Sequence, residues 1–207
     1  MNFIKPLLLV LLFAWLLNSG DKYIINFYFG STELASYAVP YSIGSKIFLV
    51  IDTMYVTYIA QSIYRVSSEK KSYIDLWNST VKMLKLYYFV GVLICIFLFL
   101  ANHFIGSLLL SSKFESTFLL IPFLGFAGLV FNSLLFLEQI AYAIKRTDII
   151  LKHYAVGAIT NISLNLFLVP KYGILGATTS MILSVCVEFF ALKLWIYKTL
   201  VVFNVKS

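Results

Sequence analysis

The sequence predicts an all-α, polytopic membrane protein with six transmembrane helices. Of its 207 residues, 61% are hydrophobic and 12% are charged, and the mean hydropathy is +0.91. In a soluble domain, about a quarter of the residues are charged. The charged residues separate long runs, such as 86–112 and 116–137, that contain no Asp, Glu, Lys or Arg. Each run exceeds the ~20 residues that a helix needs to cross the hydrocarbon core, whereas a transmembrane barrel would show ~10-residue segments of alternating polarity.

Six spans follow one another along the chain, with connections short enough to make neighbouring helices antiparallel. They cover residues 4–28, 34–64, 80–102, 116–144, 149–169 and 174–197, so residues 1–207 are expected to form a single six-helix domain. The first span has an alternative interpretation, because Lys5, the apolar run 7–17 and Ser19-Gly20 are typical of a cleaved signal peptide. Apolar character resumes after Asp21 and Lys22, which favours a retained helix.

The basic residues predict the orientation of these spans. With the N-terminus in the cytoplasm, twelve of the 16 Lys and Arg residues fall on the cytoplasmic side and three on the outer side, while Lys46 lies within the second span. The twelve are Lys5, Arg65, Lys70, Lys71, Lys82, Lys85, Lys145, Arg146, Lys152, Lys193, Lys198 and Lys206, and the three are Lys22, Lys113 and Lys171. Because cytoplasmic loops are enriched in basic residues, both termini are expected to be cytoplasmic, in the cell membrane.

Two charged residues, Lys46 and Asp52, lie within the second span. A charge at mid-helix costs roughly 2.5–3.5 kcal/mol on the insertion scale, so such residues usually face a bundle interior or water. On a helix the two residues are roughly 120° apart, with Ser and Thr side chains on the arc between them. This broad polar face predicts a cavity lining. The alternative is an interhelical salt bridge, or snorkelling that only locks the packing.

Polar residues also lie on helical stripes of the last three spans. Asn132 in the fourth span and Asn161 in the fifth are further candidates to line the cavity. Asn132 shares its face with Gly125 and Gly128, and small residues let helices approach closely, so packing is an equal alternative. Glu188, deep in the sixth span, is a candidate for proton coupling or for a structural hydrogen bond to a neighbouring helix.

The chain shows no pattern that indicates chemistry. There is no CxxC, no His cluster, no Gly-rich phosphate loop and no GxSxG, so neither catalytic residues nor a metal or other cofactor is expected, and the chain is not predicted to be an enzyme. The net charge of +7 comes without a basic stripe interleaved with stacking aromatics, so no nucleic-acid partner is expected. The expected surroundings are membrane lipids.

Several motifs occur in an order that resembles a known family. The most specific is NISLNLFLVPKYGILGATTSMI, residues 161–182, with an Asn-rich helix, a Pro-x-Tyr-Gly-Ile-x-Gly-Ala turn and a small-residue helix start. Three further motifs lie upstream: Asp21-Lys22-Tyr23-Ile24-Ile25, Gly30 with Ala35-Ser36-Tyr37, and Phe114 with Ser116. Ser36 and Ser116 stand where the family usually has glycine. Together these motifs resemble the C-terminal half of a polysaccharide or oligosaccharide-lipid flippase of the multidrug/oligosaccharidyl-lipid/polysaccharide exporter superfamily.

The resemblance implies one six-helix lobe of a two-lobe flippase. Such a flippase moves a polyprenyl-linked sugar across the cytoplasmic membrane by alternating access, so a second lobe is expected as partner, either a separate chain or a second copy. Family cavities are often cationic, to receive a diphosphate, and Lys46 and Lys22 are the local candidates. The alternatives are a lobe of an ion-coupled multidrug exporter of the same superfamily, or a truncated structural or remnant membrane protein without transport of its own.

Overall fold

The computed structural model describes the backbone of residues 4–68 and 73–206, and the side chains of residues 8–49, 53, 61 and 74–201. Within these ranges the chain is helical and contains no strand, which confirms the all-α prediction for this part of the protein. The elements are α1 (Ile4–Ser68), α2 (Tyr73–Leu100), α3 (Asn102–Leu109), a 3₁₀ helix (Ser112–Thr117), α4 (Leu120–Ala143) and α5 (Thr147–Lys206).

Helix α1 reverses direction at Gly30. This residue has φ 79° and ψ −177°, a backbone conformation that residues with a Cβ rarely adopt. Because this conformation is not helical, the helix is interrupted there. The Asp21 carboxyl and the Tyr37 hydroxyl lie 2.6 Å apart, whereas 16 residues of straight helix would separate them by about 24 Å. Residues 4–29 and 31–68, the first and second arms of α1, are therefore packed side by side.

Helix α5 reverses in the same way at Gly173, which has φ 56° and ψ −134°. His153 and Glu188, 35 residues apart in sequence, are in contact across the two arms, 147–172 and 174–206. The sequence led us to expect Pro170 to end the helix before this turn, but Pro170 lies inside the first arm. The reversal occurs three residues later because only glycine adopts the required positive φ readily.

The first residues of α2 and α4 differ from the starts of the corresponding spans predicted from the sequence. α2 begins at Tyr73 rather than near residue 80, and α4 begins at Leu120 rather than near residue 116. The segment between them folds into α3 and the 3₁₀ helix. α4 is the central helix, with most of its residues buried, and it packs against both arms of α1, against α2 and against α5.

Four helices of the described chain are long and apolar enough to cross a membrane. The stretches that meet this criterion are Leu8–Leu49, Ile74–Leu100, Leu120–Ala143 and Thr147–Val201. The first and last are 42 and 55 residues long, about twice the ~20 residues of a single crossing. These are also the two helices that reverse at a glycine.

Candidate functional site

A cavity of about 140 Å³ lies between both arms of α1, α4 and the second arm of α5. It brings together Lys46 and Asn132, two of the side chains that the sequence singled out. Lys46 is exposed, whereas Asn132 is buried, with 7% of its surface accessible. The lining residues are Asn18, Tyr41, Ser45, Lys46, Leu49, Gly128, Phe131, Asn132 and Met181. The cavity thus combines one ammonium group with two amides, two hydroxyls and aromatic rings.

Close packing of α1 against α4 forms one wall of this cavity. A Cβ on Gly44 would lie 2.5 Å from the Ile121 carbonyl oxygen and 2.7 Å from the Gly125 nitrogen, and a Cβ on Gly128 would lie 3.0 Å from Ser45 Cα. Side chains larger than hydrogen would therefore meet backbone atoms. Gly128 serves the close approach that small residues on this face of α4 predicted. This approach places Asn132, one turn further along α4, at the cavity.

Lys22 lies beside the cavity rather than among its lining residues. Its ammonium donates to the Asn18 carbonyl oxygen at 2.6 Å, is 3.4 Å from the Asp21 carboxylate and lies 3.9 Å above the centre of the Tyr41 ring. Asp21 is fully buried and accepts the 2.6 Å hydrogen bond from the Tyr37 hydroxyl. Lys22 is thus held by two residues that do line the cavity, Asn18 and Tyr41.

Asn161, a third candidate from the sequence, does not line this cavity. Asn161 is fully buried between the arms of α5, where its amide donates to the Ser184 hydroxyl at 3.1 Å and its oxygen accepts from Asn165 at 3.0 Å. It is not among the residues that line the cavity. Polar spacing alone could not reveal this, because the stripe containing Asn161 faces the second arm of α5. The side chain of Asp52 lies outside the described residues.

Glu188 lies in a buried cluster with His153 and Glu138, and none of the three lines the cavity. His153 Nδ1 is 2.9 Å from Glu188 Oε1, and His153 Nε2 is 3.5 Å from Glu138 Oε1. Both His153 and Glu188 are fully buried, and Glu138 is 4% exposed. The sequence had suggested neither a role for His153 nor its contacts with the two glutamates. The only signal for it was that all three are ionisable residues inside apolar helices.

A family model described as Rft-1, the Rft protein, matches residues 1–130, which is more than half of the chain. The chain belongs to the Rft family. This family is related to flippases of lipid-linked oligosaccharides. Together with the long apolar helices, the membership makes the chain a multi-pass membrane protein. No curated protein and no solved structure matches it.

The part that matches the Rft family contains α1, α2, α3, the 3₁₀ helix and the first half of α4. It therefore includes Lys22 and six of the nine residues that line the cavity, namely Asn18, Tyr41, Ser45, Lys46, Leu49 and Gly128. The family agrees with the flippase relationship that the motifs implied. The motif that appeared most specific, residues 161–182, lies outside the matched part.

Proposed function

We propose that this Rft-family chain is a six-span lobe of a flippase that moves a lipid-linked oligosaccharide across the cell membrane. In this proposal a second lobe, either a separate chain or a second copy, faces the cavity side, and the two alternate between inward-open and outward-open states. The chain transports and performs no chemistry on its cargo. This function is consistent with the Rft membership and with the ammonium, amide and hydroxyl groups that line a cavity between long apolar helices.

The two glycine reversals support six spans. They divide α1 and α5 into arms, and the first arms, residues 4–29 and 147–172, each have 26 residues, or about 39 Å of helix. This length is sufficient for the ~30 Å hydrocarbon core. Two arms from each of α1 and α5, with α2 and α4, make six crossings. The excess of basic residues on one side favours a cytoplasmic position for both termini.

Labelling of single cysteines tests this topology. With Cys95 and Cys186 replaced by serine, a cysteine at Lys113, between α2 and α4, is expected to react with a membrane-impermeant maleimide added outside intact cells. A cysteine at Lys152, close to the connection between α4 and α5, should react only after the cells are opened. Both lysines are exposed, so lack of reaction reports the side of the membrane rather than burial. The reverse pattern would contradict the proposed orientation.

The observation that carries the transport proposal is the chemistry of the cavity. Lys46 supplies a positive point charge suited to a phosphate group. Asn18 and Asn132 supply amides, and Tyr41 supplies a hydroxyl, that can bond sugar hydroxyls. At about 140 Å³, the cavity is smaller than the roughly 300–1,000 Å³ of ordinary ligand pockets. This size fits half of a binding site that a second lobe completes.

Lys46 variants test the binding role. In cells or proteoliposomes containing the assembled transporter, Lys46→Ala should abolish transport of the lipid-linked oligosaccharide without lowering the amount of folded protein. Lys46→Arg should retain part of it, because the charge remains while its geometry changes. Lys113→Ala, which removes an exposed lysine that does not line the cavity, should transport normally. Full transport by a well-expressed Lys46→Met variant would show instead that Lys46 only packs.

A further inference from the structure

Three ionisable side chains from three helical segments meet inside the bundle. Glu138 comes from α4, His153 from the first arm of α5 and Glu188 from the second arm. The imidazole lies between the two carboxyls, with Nδ1 2.9 Å from Glu188 Oε1 and Nε2 3.5 Å from Glu138 Oε1. Gly157 makes room for this arrangement, because a Cβ there would lie 2.5 Å from Glu188 Oε2.

Two of the buried atoms that lack a hydrogen-bond partner face each other in this cluster. They are His153 Nε2 and Glu138 Oε1. At 3.5 Å they are a small shift away from the 2.7–3.2 Å of an ordinary hydrogen bond. The cluster therefore has one hydrogen bond formed, between Glu188 and Nδ1, and a second contact that can form on the opposite edge of the same ring.

The charge of the cluster depends on protons. In the described part of the chain, no lysine or arginine forms an ion pair with Glu138 or Glu188, and the titratable neighbours are Tyr142 on α4 and Tyr154 on the first arm of α5. Tyr154 lies beside Glu138, and its ring centre lies 4.3 Å from that of His153. Two unbalanced carboxylates in an apolar interior would be costly, and bound protons remove that cost.

A metal ion is not an alternative way to balance this charge. The two carboxyls approach different nitrogens of one imidazole ring, on opposite edges, so a single ion could not contact all three side chains. In agreement, no group of three His, Cys, Asp or Glu residues in the described part of the chain is arranged to hold a metal ion. A proton is the ligand that suits an imidazole bridging two carboxyl groups.

We propose that Glu138, His153 and Glu188 form a proton-relay site within the membrane. When Glu188 carries the proton and Glu138 is a carboxylate, the Glu188 O–H bond breaks as its proton passes to His153 Nδ1. The Nε2–H bond breaks as that proton passes to Glu138 Oε1. One N–H bond and one O–H bond form, the imidazole ends as the other neutral tautomer, and the single negative charge moves from Glu138 to Glu188.

The relay links proton movement to the packing of α4 and both arms of α5. Its three members come from different segments, so a shift of one segment by about an ångström makes or breaks the contact on the Nε2 side. This inference does not rest on the cavity or on the identity of the cargo. It can therefore stand or fall independently of the proposed flippase function.

Nitrogen NMR of the ring of His153 tests the relay. The chain has two histidines, and His103 is an exposed reference, 3.1 Å from the exposed Glu115. In the full chain, labelled with ¹⁵N-histidine in lipid nanodiscs at about pH 8, both His153 nitrogens should give shifts between those of protonated and unprotonated nitrogen, because the tautomers exchange. Glu138→Gln removes one end of the relay, so the averaging should be lost and two separate shifts should appear.

Matched variants separate a relay from a structural hydrogen bond. Glu115→Gln should change the signals of His103 and leave those of His153 as they are. Gly157→Ala, which displaces the Glu188 carboxyl without removing it, should abolish the averaging as Glu138→Gln does. The wild-type spectrum alone decides the matter if the variants fail to fold. One fixed His153 tautomer from about pH 5 to about pH 8 would overturn the proposal, whatever the outcome of the transport assays.

Discussion

Gly44→Ala is expected to destabilise the bundle although alanine is the better helix former. The added methyl group would lie 2.5 Å from the Ile121 carbonyl oxygen and 2.7 Å from the Gly125 nitrogen. These are backbone atoms, so no change of rotamer can relieve the overlap, and α1 and α4 must move apart. Overpacking of this kind costs about 1–3 kcal/mol, which exceeds the gain of about 1 kcal/mol in helix propensity.

The free energy of unfolding, measured by SDS titration of the chain in mixed micelles, checks this prediction. Gly20→Ala is the matched control, since Gly20 is also a buried glycine of α1 but its Cβ would lie an ordinary 3.5 Å from Ile162 Cγ1. We expect Gly20→Ala to be neutral or stabilising by up to about 1 kcal/mol. Equal effects of the two substitutions would show that α1 and α4 do not approach as closely as the structure indicates.

Asp21→Ala is expected to lower the free energy of unfolding by about 1–3 kcal/mol. Asp21 is fully buried, and its loss leaves the Tyr37 hydroxyl without its 2.6 Å acceptor inside the bundle. It also removes the carboxylate beside the Lys22 ammonium. The two arms of α1 are joined through these contacts, so the hairpin at Gly30 should open more readily, and trypsin should cleave it faster.

A double-mutant cycle isolates the contact between Asp21 and Tyr37. Tyr37→Phe removes the hydroxyl that Asp21→Ala leaves without an acceptor. The double variant should therefore lose less free energy of unfolding than the two single variants lose in sum, by about 0.5–3 kcal/mol. Glu115→Ala is the control, because it removes an exposed carboxylate: the Glu115 side chain is 62% exposed. Its free energy of unfolding should stay within about 0.5 kcal/mol of that of the wild type. Strict additivity would contradict the buried hydrogen bond.

Local properties of the sequence predicted the class of the fold and where the chain reverses. Composition and the length of uncharged runs are enough to indicate apolar helices, because lipid requires each backbone polar group to be paired within the chain. The boundaries drawn around residues 28–34 and 169–174 enclose Gly30 and Gly173, where the structure reverses. Gly125 and Gly128 likewise indicated a close helix contact, because small side chains permit it regardless of the partner.

Side chains distant in sequence meet only through the tertiary structure. Asn132 and Asn161 both lie on polar stripes, yet Asn132 lines the cavity while Asn161 bonds Ser184 inside α5. Periodicity gives the face of a helix but not the helix that packs against it. For the same reason, only the structure shows that His153 lies between Glu138 and Glu188. That contact requires α5 to fold back at Gly173 and both of its arms to pack on α4.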